Sequence, residues 1–577
     1  MQKRTLEPMR RLIQAARGDR PADLLLCNAR LVNVCLGAVE TTDIAITDGH
    51  ITGFGRCPAH ATVDLKDQFV SPGFIDSHMH LESTLTAPGE FARAVLPRGT
   101  TAVVADPHEI ANVLGTAGLD YMLRTTEALP LTVFFSLPSC VPASPIGTAG
   151  AVLTAADLAP YLGHPRVVAL AELMDFTGVI NGETEVLDKI ETARSAGLRL
   201  DGHAPGLSAS RLHAYLAAGI ASDHECTTLA EAREKLAAGM TIMVRQGSVA
   251  RDLEALLPLI TPRTARRMMW CTDDRTPPDL LDEGHIDSLV RRAIARGVDP
   301  VIAIQMATLN PAEYFRLDHL GAVAPGKRAD LVVFDDLRAP LARQVYAAGR
   351  LVAEDNQVVA GFPETGAPAA PAAMHVPLQR LDFTIPAEGP LLKVIEALPD
   401  QIVTRAMTMP AEIKDGLAVS DVRRDLLKIV VVERHHGTGR TGKGFIHGFG
   451  LTSGALASSV AHDAHNIVAV GVTDQEIHRA VTAVVEMGGG LAAATDGRIQ
   501  AALPLPIAGL MSDQPMAVVR NRLDALSAVI RRMGCPLPDP FTTLSFMALP
   551  VIPELKLTDQ GLVDVNAARI VPLFISA

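Results

Sequence analysis

The sequence predicts an α/β protein built around a (β/α)8 TIM-like barrel, and three observations predict it. Apolar runs alternate with helix-like stretches through the middle of the chain, the pattern of repeated βα units. Eight such runs can be placed, near Phe69–Asp76, Thr101–Ala105, Leu131–Ser136, Val167–Glu172, Leu198–His203, Ile220–His224, Thr241–Val244 and Met268–Asp273, enough to close a barrel. Several runs end in a histidine or a carboxylate: His78 and His80 after the first, then Glu172, His203, His224 and Asp273. Side chains arriving one per strand end are what a site on the C-terminal face of a barrel requires.

The flanks complete the architecture. From about Leu24 to about Asp67 apolar and polar residues alternate around turn signals such as Asp48-Gly49, which reads as an antiparallel β unit. The same character returns in Gly321–Phe334, where a turn feeds the apolar strand Leu331-Val332-Val333-Phe334. The two flanks are expected to pair as a small β-sandwich domain. The Pro/Ala/Gly-rich tract from Gly361 to Ala373 reads as a linker. The expected organisation is residues 1–67 and 319–362 for the small domain, 68–318 for the barrel, 363–377 for the linker and 378–577 for a C-terminal α/β domain.

Composition narrows the function classes. At 577 residues the chain exceeds a single core, and 48% hydrophobic with 20% charged residues suits a globular enzyme. A net charge of −12, with no basic arm, argues against nucleic acid and anionic membrane as partners. The seven cysteines are scattered without a C-x-x-C pair, and the N-terminus shows no apolar signal-peptide core, so a reduced cytoplasmic protein is expected. The uncharged stretch Ala128–Ala156 is broken by prolines and glycines and reads as a buried strand with loops, not a membrane span.

In Pro72-Gly73-Phe74-Ile75-Asp76-Ser77-His78-Met79-His80 the two histidines are spaced i, i+2, which places both imidazoles on one side of a strand. His78 and His80, joined by Asp273, suit one metal ion; His203 and His224 suit a second; Glu172 can bridge both with its two oxygens. Imidazole and carboxylate without thiolate suit manganese, iron or zinc. Such a pair lowers the pKa of a shared water, and Asp273 can accept its proton and pass it to a leaving group.

The chain resembles the adenine deaminases of the amidohydrolase superfamily. The resemblance is carried by PGFIDSHMHLESTLTAP (72–88), DPHEIANVLG (106–115), AELMDF (171–176), DGHAPG (201–206), Asp223–Glu225, RQGS (245–248) and CTDDR (271–275), and SSVAHDAHN (458–466) extends it into the last domain. Related amidohydrolases bridge their metals with a carboxylated lysine at the fourth strand, whereas this run ends in Glu172, as in the adenine deaminase pattern. The resemblance implies hydrolysis of adenine to hypoxanthine and ammonia by hydroxide shared between two divalent metals per chain, manganese or iron, with zinc also compatible. It also implies a homodimer. For that reaction the chemistry expects Asp273 to move the proton, and Glu109 and His108, after the second strand, are the candidates for the acid at ring N1. Asp106, Asp274, Arg245 and Ser248 are the candidates to bind substrate. The alternative is a related amidohydrolase acting on another aminopurine or a cyclic amide.

Other signals are weaker. H-x-E with P-C-x-x-C, the base-flipping deaminase signature, is absent. His108-Glu109 and His224-Glu225 lack the second histidine of H-E-x-x-H. Gly437–Gly444 follows an apolar strand and approaches a phosphate-binding loop, but Gly444 stands where Ser or Thr must follow the lysine, so a loop near the barrel mouth is expected. His462, Asp463 and His465 leave two readings open: a structural network inside the last domain, or a lid or accessory metal site facing the barrel.

Overall fold

The computed structural model describes residues 6–363, 367–399 and 401–575; residues 364–366 of the expected linker lie outside them. Eight strands form the barrel: β1 Phe74–Met79, β2 Thr100–Ala105, β3 Thr132–Leu137, β4 Val167–Leu173, β5 Arg199–Gly202, β6 Ser222–Asp223, β7 Thr241–Arg245 and β8 Met268–Cys271. Strands β1 to β5 pair in sequence as one parallel sheet and β6 to β8 as another. The Ala221 N–H joins them by donating to the Leu200 carbonyl at 3.0 Å. The other seam closes where Met79 and Asp273 pair in parallel, the Asp273 N–H donating to the His78 carbonyl at 3.0 Å.

Strand alternation sorts the core. Ile75, Val104, Phe134, Met243 and Met269 pack together in the barrel interior. Phe74, Val103, Phe135, Val244 and Trp270 belong to the larger core beneath the helices. In β1 the register shifts between Asp76 and Met79, placing Met79 in the outer core. An irregularity of this kind re-aims side chains, and it turns His78 and His80 toward the site.

The first expected strand, Phe69–Asp76, is in fact two. Phe69–Pro72 leaves the barrel and pairs antiparallel with Leu331–Phe334. Gly73 marks the hand-over, since a Cβ there would lie 2.1 Å from Thr101 Oγ1. The pairing unites both flanks in one nine-stranded sheet. Within it Ala59–Asp64 runs parallel to Ala22–Asn33, a departure from the purely antiparallel unit expected. The sixth barrel strand is shorter than its apolar run because pairing with β7 covers only Ser222 and Asp223.

The C-terminal domain centres on an eight-stranded sheet. In its strand Leu427–Val432, Ile429 and Val431 face a core shared with the helices Met516–Arg532 and Pro540–Phe546. Val430 and Val432 face the helix Asp474–Glu486 on the other side. Both faces are covered, giving three layers. Met511 and Met516 join the barrel's own core, and Ser512 pairs with Thr86, so the domain is fastened to the barrel rim. The Gly437–Gly444 tract is half turn and half strand: Thr441–His447 pairs antiparallel with Leu427–Val432, which leaves no helix to receive a phosphate. Among the described residues no helix is long and apolar enough to cross a membrane.

Candidate active site

The strand ends bring His78, His80, Glu172, His203, His224 and Asp273 together at one end of the barrel. All are buried except His203, which is partly exposed. Glu172 lies at the centre and its two oxygens divide the histidines. Oε1 faces His80 Nε2 at 3.4 Å and His78 Nε2 at 3.7 Å. Oε2 faces His203 Nδ1 at 2.7 Å and His224 Nε2 at 3.3 Å. Asp273 Oδ1 approaches His80 Nε2 at 3.0 Å and His78 Nε2 at 3.6 Å.

The second layer fixes this arrangement. His80 Nδ1 lies 3.0 Å from the Asp106 carbonyl, to which only an N–H can donate, so its Nε2 keeps a free lone pair pointing inward. The Tyr215 hydroxyl accepts from the His203 N–H at 3.0 Å and donates to the Leu173 carbonyl at 2.8 Å, tying the ends of β4 and β5. Buried Lys235 donates to Asp223 beside His224 at 2.9 Å. Asp76 accepts from the Thr272 hydroxyl at 2.5 Å, locking β1 to β8. Asp273 adopts a left-handed conformation at φ 55°, which aspartate tolerates better than most residues.

A metal fits this donor set. His78 Nε2 is buried without a hydrogen-bond partner, an arrangement that costs stability unless a cation takes the lone pair. Burial pushes Glu172 upward, but the imidazoles of His203, His224 and His80 outweigh it and hold the carboxyl well below its usual range. Asp273 is likewise held low against burial, chiefly by the Arg245 guanidinium.

That guanidinium departs from the pocket-lining place expected of it. Arg245 is buried behind Asp273, with Nη1 on Asp273 Oδ2 and on Glu225 Oε1. Asp106 is also buried; its Oδ2 takes His108 Nδ1 at 3.0 Å. Asp274, Ser248 and Glu109 do line a cavity of about 510 Å³ beside the cluster. Asp274 accepts from the Ser83 hydroxyl, and Ser248 shares a 3.1 Å hydrogen bond with Thr276.

Comparison with known proteins agrees along the whole chain. Residues 69–363 match the amidohydrolase family and residues 401–569 the adenine deaminase C-terminal domain. A relative named adenine deaminase from Desulfatibacillum aliphaticivorans is 53% identical over 566 residues, 98% of this chain and 99% of the relative. One named adenine deaminase 2 from Carboxydothermus hydrogenoformans is 46% identical over 570 residues, 98% of this chain and 100% of the relative. The chain belongs to the adenine deaminase family. A solved structure described as an adenine deaminase shares 18% identity and covers 57% of this chain and 99% of its own, with a TM-score of 0.44.

Two further features of this adenine deaminase-family site were not assigned from sequence. Glu82 lines the cavity, is buried, and is pushed up to about 7 by that burial. Its Oε1 accepts from the Ile110 N–H at 3.0 Å while Oε2 has no partner. His462 and His465 reach across from the C-terminal domain to Glu109, His462 Nδ1 lying 2.6 Å from Oε1 and His465 Nε2 meeting Oε2. Of the two readings left open, they therefore face the barrel.

Proposed function

We propose that the protein is an adenine deaminase, hydrolysing adenine to hypoxanthine and ammonia. The observation that carries the reaction type is the division of four histidines between the two oxygens of Glu172, with Asp273 at the edge. Adenine as the substrate is supported by near-full-length identity to relatives bearing that name. His78, His80 and Asp273 would hold one divalent ion, His203 and His224 a second, and Glu172 would join them; manganese or iron suits these ligands. Bound there, the ions supply Lewis-acid activation of water.

The chain's own residues do the rest. Arg245 holds Asp273 Oδ2, so the carboxylate stays ionised and aimed. Asp273 accepts the proton of the attacking water and passes it to the amine leaving C6. Glu109, both of whose oxygens are engaged by histidines, serves as an acceptor that favours a protonated ring nitrogen, in place of the acid role expected for it. His108, fixed by Asp106, stands beside it, its Nε2 3.5 Å from Glu109 Oε1. Asp274 and Ser248 face the cavity and orient the base.

The deciding experiment is ammonia release from adenine by protein reconstituted separately with manganese, iron and zinc. Metal-dependent turnover is expected. No turnover by protein holding about two metals per chain would move the function to another aminopurine or a cyclic amide.

A further inference from the structure

Glu109 opens the helix His108–Leu114 after β2, whereas His462 lies 353 residues away, on the C-terminal-domain segment between strands Ala455–Ser458 and Ile467–Gly471. Glu109 and His465 are buried, and the Phe546 ring stacks on His462 with centroids 4.8 Å apart and planes 18° apart. Two histidines and a carboxylate this close could hold a metal or form a hydrogen-bonded clamp.

The hydrogen bonds choose between these. The Ala461 N–H donates to His465 Nδ1 at 3.1 Å. That uses the Nδ1 lone pair, so the ring proton sits on Nε2 and Nε2–H donates to Glu109. A metal on Nε2 would need the proton on Nδ1, where it would meet the Ala461 N–H. The segment is also anchored, because buried Arg434 donates through Nε to the His465 carbonyl and through Nη2 to the Ala508 carbonyl at 3.0 Å.

We propose that His462 and His465 are positioning residues for catalysis: from the C-terminal domain they clamp both oxygens of Glu109, which meets the substrate ring as a fixed hydrogen-bond acceptor. This rests on the reading of the cavity as the purine site. The charges are consistent with it. Burial lowers both histidines. For His462 the carboxylate of Glu109, helped by Asp274 and Asp463, reverses this and raises it to about 9. For His465 burial prevails, with His462 and Arg434 adding to it, and it falls to about 4. The clamp therefore pairs one cationic and one neutral donor, and Glu109 is held well below its usual range although burial opposes this.

The test uses the metal-loaded full chain. His462→Ala is expected to lower kcat/KM by about 100-fold and to move its acidic limb toward neutral pH. His462→Asn, which keeps a neutral N–H near Oε1, is expected to recover about tenfold of that while the limb stays displaced. In a Glu109→Gln background His462→Ala is expected to add no further loss. Additive losses, or wild-type kinetics and pH profile in both His462 variants, would overturn the proposal. So would the loss of one metal equivalent per chain in His462→Ala. Nitrogen NMR of the His462 ring supplies an arm independent of substrate: its titration is expected to fall by more than about one unit in Glu109→Gln. An unmoved titration would defeat the clamp even if adenine proved the wrong substrate.

Discussion

Two buried carboxylates, Glu172 and Glu109, are each gripped by histidines, and the way those histidines are satisfied separates them. Around Glu172 the nitrogens crowd without completing their bonding: His78 Nε2 has no hydrogen-bond partner. Around Glu109 they are used up, His465 accepting at Nδ1 from a backbone amide and donating at Nε2. The same residue types thus suit a cation in one place and a fixed anion in the other. The neighbour of each ring, more than the ligand list, decides which.

Four measurements separate the two carboxylates, from the largest effect down. Asp273→Asn is expected to cut turnover by about 10,000-fold even in protein that keeps some metal, measured as ammonia release beside metal content. Retained turnover would place the proton shuttle elsewhere. Arg245→Met removes the partner of two buried carboxylates and is expected to destabilise the fold by about 3 kcal/mol, read by urea unfolding. Glu172→Gln is expected to weaken metal retention by about 100-fold in chelator competition, because a neutral amide bridges poorly; Glu109→Gln should leave retention unchanged. The smallest effect concerns pH. His462 is raised from the usual 6.5 to about 9, so its contribution to stability is complete below pH 6.5 and is lost as pH rises through about 9. Thermal unfolding should therefore fall by a few degrees across that window in the wild type, and less in His462→Ala.

Much of the clustering around Glu172 was legible in the sequence because each candidate ligand follows an apolar strand, so position and chemistry coincide in a few residues. The Glu109 side was legible only in fragments. His462 and His465 showed as a close pair, but nothing in a local pattern joins them to a glutamate 353 residues earlier; that contact is made by domain packing. No local pattern marks Glu82 as buried; its place is set by the Ile110 N–H, which arrives from the segment after the second barrel strand. Arg245 is placed by periodicity at a strand end, but periodicity does not say whether a long side chain turns to the cavity or, as here, onto Asp273 and Glu225. The break at Gly73 shows the same limit: one apolar run served two sheets because hydrophobicity does not record which partner a strand pairs with.

The seam between β1 and β8 has a consequence for biosynthesis. His78 and His80 emerge early from the ribosome, while Asp273, whose N–H bonds to the His78 carbonyl, emerges nearly two hundred residues later. A nascent chain short of that point carries the histidines but not the carboxylate that joins first strand to last. The ring can therefore seal only once the eighth strand has emerged, and a product truncated before it leaves the free edge of the first strand without that partner.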